Sequence, residues 1–359
     1  MDKPHNCREI MIEPKVSIII VNWNGWEDTI ECLESVFRNA YSNYDIIVID
    51  NGSQDESIER IKEYAHSKKI TESNLDQYPK SSETTTYSEY KYDQSRHFNT
   101  GTREDMGNSS AERKFIFIMS DKNNGFAEGN NIAIKCAIEV SDPKYILLLN
   151  NDTLVDKFFL TELVQGITSR SDIGIVGPKI YFYDYDGRKD VINYAGANFF
   201  LLPSLAKHIG NGEIDIGQYD KILKTDYING AAFLIDRQVI STIGFLKSDY
   251  FLYWEETDFC MRSTKAGYHS YYIPSSKIWH KISRSTNKIS HQKTYYYTRN
   301  MFWMMKENSN KYQYAHFLVC YFGILVWVRL FQVLYRGGDV KNVYSFLKGI
   351  IAGLRGSKV

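Results

Sequence analysis

Apolar residues in the first half of the chain come in short unbroken blocks separated by stretches of helical spacing. "VSIIIV" (16–21), "YDIIVID" (44–50), "KFIFIMS" (114–120) and "YILLLNND" (145–152) are runs without alternation. That is the pattern of strands buried on both faces of a sheet. Between the first two, Trp26, Ile30, Leu33 and Phe37 recur at helical intervals. Ser53 and Glu56 predict a capping box ahead of a helix carrying Ile58 and Ile61. "FAEGNNIAIKCAIEV" (126–140) predicts a helix leading into the fourth strand. Strands alternating with helices predict an α/β fold with a mostly parallel, doubly wound sheet.

Further on, "IGIVGPKIYFYD" and "YINGAAFLID" read as strands and "ETDFCMRSTKAG" as a helix stopped by Gly267. Residues 1–290 form one expected domain and 291–359 a helical extension. In that extension "FLVCYFGILVWV" (317–328) is twelve residues without a charge. A bilayer needs about 20, so a buried or interfacial helix is expected. Residues 336–359 carry five basic side chains against one acid, Asp339. This suits peripheral contact with an anionic membrane surface, and equally a helical pair packed on the domain. Residues 71–113 stand apart. From 71 to 110 the sole Val, Ile or Leu is Leu75, so a polar, mobile insertion is expected there.

Composition narrows the function classes. The 359 residues hold 43 Lys plus Arg against 43 Asp plus Glu, so no basic surplus points to nucleic acid. The 27 Tyr suit either stacking surfaces or a core. Five cysteines are scattered with no C-x-x-C pair, which fits a reducing compartment and excludes a cysteine zinc site. The start lacks the apolar stretch of a signal peptide, so a cytoplasmic location is expected. The turn after the first strand reads "NWNGWED". It supplies neither the glycine fingerprint of a dinucleotide fold nor a P-loop. Nor does it give the glycine-rich, basic first turn a nucleotidyltransferase would want.

Polar groups gather at the strand ends: Asn22 and Asn24, Asp50 and Asn51, Asp121, and Asn150-Asn151-Asp152. Ligands of open α/β sheets sit outside those carboxyl ends. Asn150 and Asp152, two apart, would point the same way. Asp50 suits a ribose hydroxyl or base imide, or else an Asx turn.

Together the segments "VSIIIVNWNG", "IIVIDNGSQD", "NNGFAEGNN", "LLLNNDT", "GPKIYF", "NGAAFLID", "FLYWEETDFCMR", "IWHKISRS", "YYYTRNMFWMMKENS" and "KGIIAGLRG" resemble glycosyltransferase family 2, in its rhamnosyltransferase-like branch. The resemblance covers nearly everything except 71–113. It implies a GT-A fold: Rossmann-like, mostly parallel, flanked by helices, with a C-terminal helical extension. It implies inverting, metal-dependent transfer of a sugar from a dTDP- or UDP-sugar to a hydroxyl of a growing glycan or lipid-linked acceptor, at the cytoplasmic face of a membrane. Asp152 then matches the last acid of the D-x-D metal motif, with Asn150 in place of the first, and His280 matches the family's metal-binding histidine. The implied cofactor is Mg²⁺ or Mn²⁺. Asn22, Asp50, Asn124, Gly125, Gly129, Asn130, Asn150 and Asn151 fall where the donor is held.

The base is expected in "YWEETDFCMR". The family has Glu-Asp there; this chain has Glu255-Glu256, so the matching base is Glu256, one methylene longer, with Glu255 as the alternative. Trp254 and Tyr253 offer aromatic surface for an acceptor sugar. Asp258 is expected to orient the helix bearing Arg262. The departure at Glu256 also motivates a second reading, a non-catalytic sugar-nucleotide or glycan binder of a membrane assembly.

Overall fold

The computed structural model describes residues 13–71, 85–93, 97–101, 113–200, 205–282, 290–337 and 340–356. Its centre is a mixed sheet. The strands are β1 (Val16–Asn22), β2 (Tyr44–Asp50), β3 (Thr85–Asp93), β4 (His97–Gly101), β5 (Arg113–Ser120), β6 (Tyr145–Asn150), β7 (Thr153–Val155), β8 (Ile173–Phe182), β9 (Ile192–Tyr194), β12 (Leu223–Thr225), β13 (Ala232–Asp236) and β14 (His269–His280). β10 (Ala197–Phe200) and β11 (Leu205–His208) pair separately. The order along the sheet is β12-β14-β8-β13-β6-β1-β2-β5-β3-β4, with β7 on β14 and β9 on β8. β1 is parallel to both β2 and β6, and β2 to β5; β13 runs antiparallel to β6 and β8.

The continuous Ile and Val runs of β1 and β2, all but the partly buried Val21, are fully buried because helices cover both faces. Those helices are α1 (Trp26–Phe37), α2 (Ser57–Thr71), α3 (Gly125–Val140), α4 (Phe159–Thr168), α5 (Arg237–Ile243) and α6 (Glu255–Lys265). The spatial order β5-β2-β1-β6 reverses its chain direction between β1 and β6. The gap beyond their carboxyl ends is therefore the sheet's switch point.

Two expectations are corrected here. The polar stretch 71–113 is not a loose insertion throughout: β3 runs parallel to β5 and pairs with β4. Counting only Val, Ile and Leu overlooked tyrosine. Tyr87 is buried with its ring 5.9 Å from Phe115, and Glu89 pairs with Lys62 at 2.8 Å. Most of the remaining insertion lies outside the described residues, as do Cys7 and the end of the "IWHKISRS" segment.

The second correction is the length of the apolar C-terminal helix, not its expected buried or interfacial placement. α7 (Ser290–Asn308) is followed by α8 (Lys311–Cys320), a π turn (Tyr321–Leu325), α9 (Val326–Gly337) and α10 (Val340–Arg355). Residues 311–331 make a helix long and apolar enough to cross a membrane by length and composition. The uncharged run alone understated it, because Tyr, Gln and His extend the helix on its amino-terminal side. A second core joins these helices to the main domain: Tyr250, Trp254, Phe302, Phe317, Tyr321 and Phe346. Each large side chain buried there contributes about 1.5–3 kcal/mol.

Candidate active site

At the switch point, strand-end polar groups form one network. Asn22 Nδ2 donates to Asp50 Oδ2 at 2.8 Å and to Ser53 Oγ at 3.2 Å; Thr29 Oγ1 donates to Asn22 Oδ1 at 2.8 Å. Ser53 donates to Asp50 from both its amide, at 2.9 Å, and its hydroxyl, at 2.6 Å. Asp50 makes the expected turn, and the residue is wholly buried. Ser53 therefore does not form the expected capping box; Asp55 Oδ1 accepts from Ser57 N at the start of α2 instead.

β6 ends at Asn150, and the chain turns into β7 through Asn151 and Asp152. Asn151 Nδ2 donates to Thr29 Oγ1 at 3.1 Å and to Gly25 O at 3.3 Å, tying this turn to the start of α1. β14 pairs with β7 so that His280 lies opposite Thr153. Lys281 N donates to Asp152 O at 2.9 Å. Lys281 Nζ is held by Asp28 at 2.6 Å and Glu31 at 2.5 Å, which locks β14 to α1. The outcome is that Asp152 Oδ1 and His280 Nε2 lie 3.0 Å apart.

That spacing fits a hard divalent ion. Two adjacent ligands of an octahedral ion with bonds of about 2.1 Å are about 3.0 Å apart. His280 Nδ1 is buried with no hydrogen-bond partner among the described residues, so side-chain bonding elsewhere does not account for the ring's placement. No group of three or more His, Cys, Asp or Glu suited to a metal occurs among the described residues. Diphosphate and water oxygens would have to complete the shell.

The segment "NNGF" joins the network from the other side. Asn124 donates to Asn51 Oδ1 and Ser120 Oγ, and Phe126 N donates to Phe251 O at 2.6 Å. Gly125 has φ +80°, and a Cβ there would meet Phe251 O at 2.5 Å. Gly125→Ala is expected to destabilise the fold by about 3 kcal/mol, from left-handed strain and a backbone clash. A urea titration reads this as a lower midpoint. Gly129 and Asn130 are packed within the start of α3. A Cβ at Gly129 would press on Asn51 Nδ2 and Val21, while buried Asn130 donates to Phe126 O one turn back.

Glu255 and Glu256 begin α6 after an unusual approach: Phe251, Tyr253 and Trp254 all have positive φ (63°, 70° and 76°). Bulky residues adopt this backbone only when their surroundings impose it. α7 does so. Asn300 Nδ2 donates to the carbonyls of Tyr250, Leu252 and Tyr253 at 2.8–2.9 Å, and Arg299 holds those of Asp249 and Tyr250. Trp254 Nε1 donates to Tyr297 O at 3.0 Å. Trp254 is only 5% exposed, in the second core, which corrects the expectation of a stacking surface for acceptor sugars. Tyr253 is half-buried, edge-on to Tyr297.

Asn300 and Arg299 are functional candidates that sequence reasoning missed. Their partners are backbone carbonyls, which leave no side-chain pattern to read. Asn300→Ala should cost about 2 kcal/mol, near 1 kcal/mol each for the Leu252 and Tyr253 carbonyls, since Arg299 still holds Tyr250 O. Thermal or urea melts would read the loss.

The two glutamates differ. Glu255 is 4% exposed and its Oε2 has no hydrogen-bond partner among the described residues. Glu256 is half-buried, and a Cβ at Gly230 would lie 3.8 Å from Glu256 Cγ. The next residue, Ala231, accepts from Asn150 N at 2.9 Å. One short backbone step thus separates the Glu256 side chain from the end of β6. Burial, and then the neighbouring Glu256 charge, push Glu255 well above the usual carboxylate range. Burial pushes Glu256 up to about 7, opposed by the amides that open α6. Asp258 is fully buried and bonds Arg262 Nε at 2.8 Å; Arg262 in turn donates to Ile243 O and Phe245 O.

A sheet of this order with helices on both faces and a polar cluster at the switch point defines the GT-A class of glycosyltransferase folds. A mannosyltransferase of Pyrobaculum calidifontis, solved with GDP-Man and Mn²⁺, shares it with a TM-score of 0.52 at 10% identity, over 96% of this chain and 88% of that one. Residues 17–76 match glycosyl transferase family 2 and residues 145–348 match glycosyl transferase family group 2; the chain belongs to this family. Among curated relatives, a hexosyltransferase of low-salt glycan biosynthesis from Haloferax volcanii is 26% identical over 42% of this chain and 46% of that protein. A dTDP-rhamnosyl transferase of Shigella flexneri is 22% identical over 54% of this chain and 64% of that protein. The matches thus span about half of the first relative and under two thirds of the second.

Proposed function

We propose that the protein is an inverting, metal-dependent glycosyltransferase. It moves a sugar from a nucleotide diphosphate, of the dTDP or UDP type, to a hydroxyl on a growing glycan or lipid-linked acceptor. The observation that carries this reading is the 3.0 Å approach of Asp152 and His280 at the switch point, with Glu256 beside Gly230 on the same edge.

In the reaction, Glu256 takes the proton of the acceptor hydroxyl as that oxygen attacks the anomeric carbon. The bond from that carbon to the diphosphate oxygen breaks, and the nucleoside diphosphate leaves with its electron pair. Attack opposite the leaving group inverts the configuration. A divalent cation held by Asp152 and His280 supplies charge neutralisation of the departing diphosphate. The Asn22–Asp50–Ser53 turn and Asn124 shape the nucleotide end, and Asn150 and Asn151 flank the diphosphate. We place the reaction at the cytoplasmic face of a membrane, in keeping with the free cysteines among the described residues, Cys32, Cys136, Cys260 and Cys320.

The test is a panel of nucleotide sugars with Mg²⁺ or Mn²⁺, scored for donor hydrolysis and transfer. Turnover of one donor, lost with a chelator, is expected; no turnover of any donor rejects the reading. The buried Glu255 carboxyl, whose Oε2 has no hydrogen-bond partner among the described residues, favours one competitor, a binder without catalysis. Metal-dependent donor binding with no hydrolysis would identify that case.

A further inference from the structure

The C-terminal helices carry an apolar face that nothing in the described chain covers. On α10, Phe346, Gly349, Ile350 and Gly353 turn toward α7. Cβ atoms would meet Tyr295 O at 2.9 Å from Gly349, and Phe302 Cβ at 2.8 Å from Gly353, so the two helices touch backbone to side chain. The other face of α10 reads Val340, Tyr344, Leu347, Ile351 and Leu354, all exposed. Their alternating spacing of four and three makes one unbroken stripe. Lys341, Lys348 and Arg355, exposed and seven residues apart, run along its flank. α8 and α9 add Val319, Ile324, Trp327, Val328 and Phe331, likewise exposed.

The segment 311–331 is long enough to cross a bilayer, but one side of it is fastened to the domain. Phe317 and Tyr321 are buried against Phe302, with ring centroids at 5.4 and 4.7 Å. Leu325, Val326 and Leu330 pack on the same cluster. A π turn at Tyr321–Leu325 joins the two halves of this helix. A helix fastened along its length to a folded domain is placed to lie in a membrane interface, not to cross it.

We propose that the stripe of α10 and the outer face of α8 and α9 dock flat on an anionic phospholipid bilayer. Charge chooses between the occupants. The stripe's spacing would also suit a second copy of the chain, but pairing would set one row of Lys and Arg against another. Residues 336–359 hold five basic side chains and the single acid Asp339. Anionic headgroups complement that row, and Trp327 and Tyr344 have the amphipathic rings that settle at headgroup depth. Lipid binding needs no donor and no turnover, so this inference and the transfer reaction can fail separately.

The test is flotation of the chain with vesicles of phosphatidylcholine alone, or with roughly a third phosphatidylglycerol. Binding to the anionic vesicles and little to the neutral ones is expected. Reversing three charges, Lys341→Glu with Lys348→Glu and Arg355→Glu, should weaken partitioning by more than about a hundredfold, since each basic residue lost is worth a factor of about five and each added acid is repelled. Leu347→Glu with Ile351→Glu should abolish it at an unchanged melting temperature, because both side chains are exposed. No flotation of the intact chain, or undiminished flotation of the Leu347/Ile351 variant, overturns the proposal. So does light scattering that shows, without lipid, a stable dimer dispersed by that same variant.

Discussion

Glu256→Gln is expected to lower turnover about a thousandfold while leaving donor affinity within about twofold, the range in which a positioned general base acts. The change keeps the side chain's size and removes only its capacity to take a proton. Glu256 is half-buried beside Gly230, so the amide fits without new strain. Because burial pushes Glu256 up to about 7, activity should rise with pH through that region as the carboxylate forms. The stability consequence has the opposite sign. Between its ordinary value of 4.5 and about 7, the folded chain holds a proton that the unfolded chain releases. Stability attributable to this group therefore falls as pH rises across that window, and Glu256→Gln should flatten the slope. Single-turnover rates, donor titrations and melts from pH 4.5 to 8 measure all three. Unchanged turnover would transfer the base role to another group.

How legible these features were depended on what carried them. β1, β2 and β6 could be read directly, because burial on both faces leaves runs of Ile, Val and Leu with no alternation to misread. β3 could not, because its burial rests on Tyr87 rather than on aliphatic residues. The strand-end polar groups were visible as composition, but their partners were not. Asp50 could bond a ligand or its own turn, and only the fold, bringing Asn22 within 2.8 Å, decides that the turn is made. Asp152 and His280 lie far apart in the chain, and nothing local to either announces the other. Their meeting follows from β14 pairing with β7, a topological fact reachable beforehand only through family resemblance.

The aromatic run "FLYW" misled in an instructive way. Trp254 beside two acids suggests an exposed stacking platform, yet the tryptophan is turned inward and bonded to Tyr297. Positive φ at three of four consecutive non-glycine positions is invisible to any propensity argument. It exists because Asn300 and Arg299 take up the carbonyls that this backbone would otherwise leave unsatisfied. Glu256 thus follows a loop whose shape is dictated by α7, outside the sheet that brings Asp152 and His280 together.

Asp152→Asn is expected to remove the metal dependence of donor binding and to lower turnover about a thousandfold, since a cation at a departing diphosphate is worth several kcal/mol. The substitution is nearly isosteric and retains a hydrogen-bond acceptor toward His280 Nε2, so the apo protein should melt within about 2 °C of the parent. What disappears is charge. A nucleotide diphosphate brings concentrated negative charge to a strand end where uncharged Asn150 and Asn151 stand, and without a bound cation little there offsets it. Adding Mn²⁺ with UDP or dTDP should raise the melting temperature of the parent, because a ligand that binds only the folded form stabilises it by mass action. The same additions should leave Asp152→Asn unmoved. His280→Ala, which removes the other facing donor, should behave alike in this assay. A variant at either position that keeps its full Mn²⁺-dependent shift would dissociate the pair from the metal and return their 3.0 Å contact to an ordinary hydrogen bond.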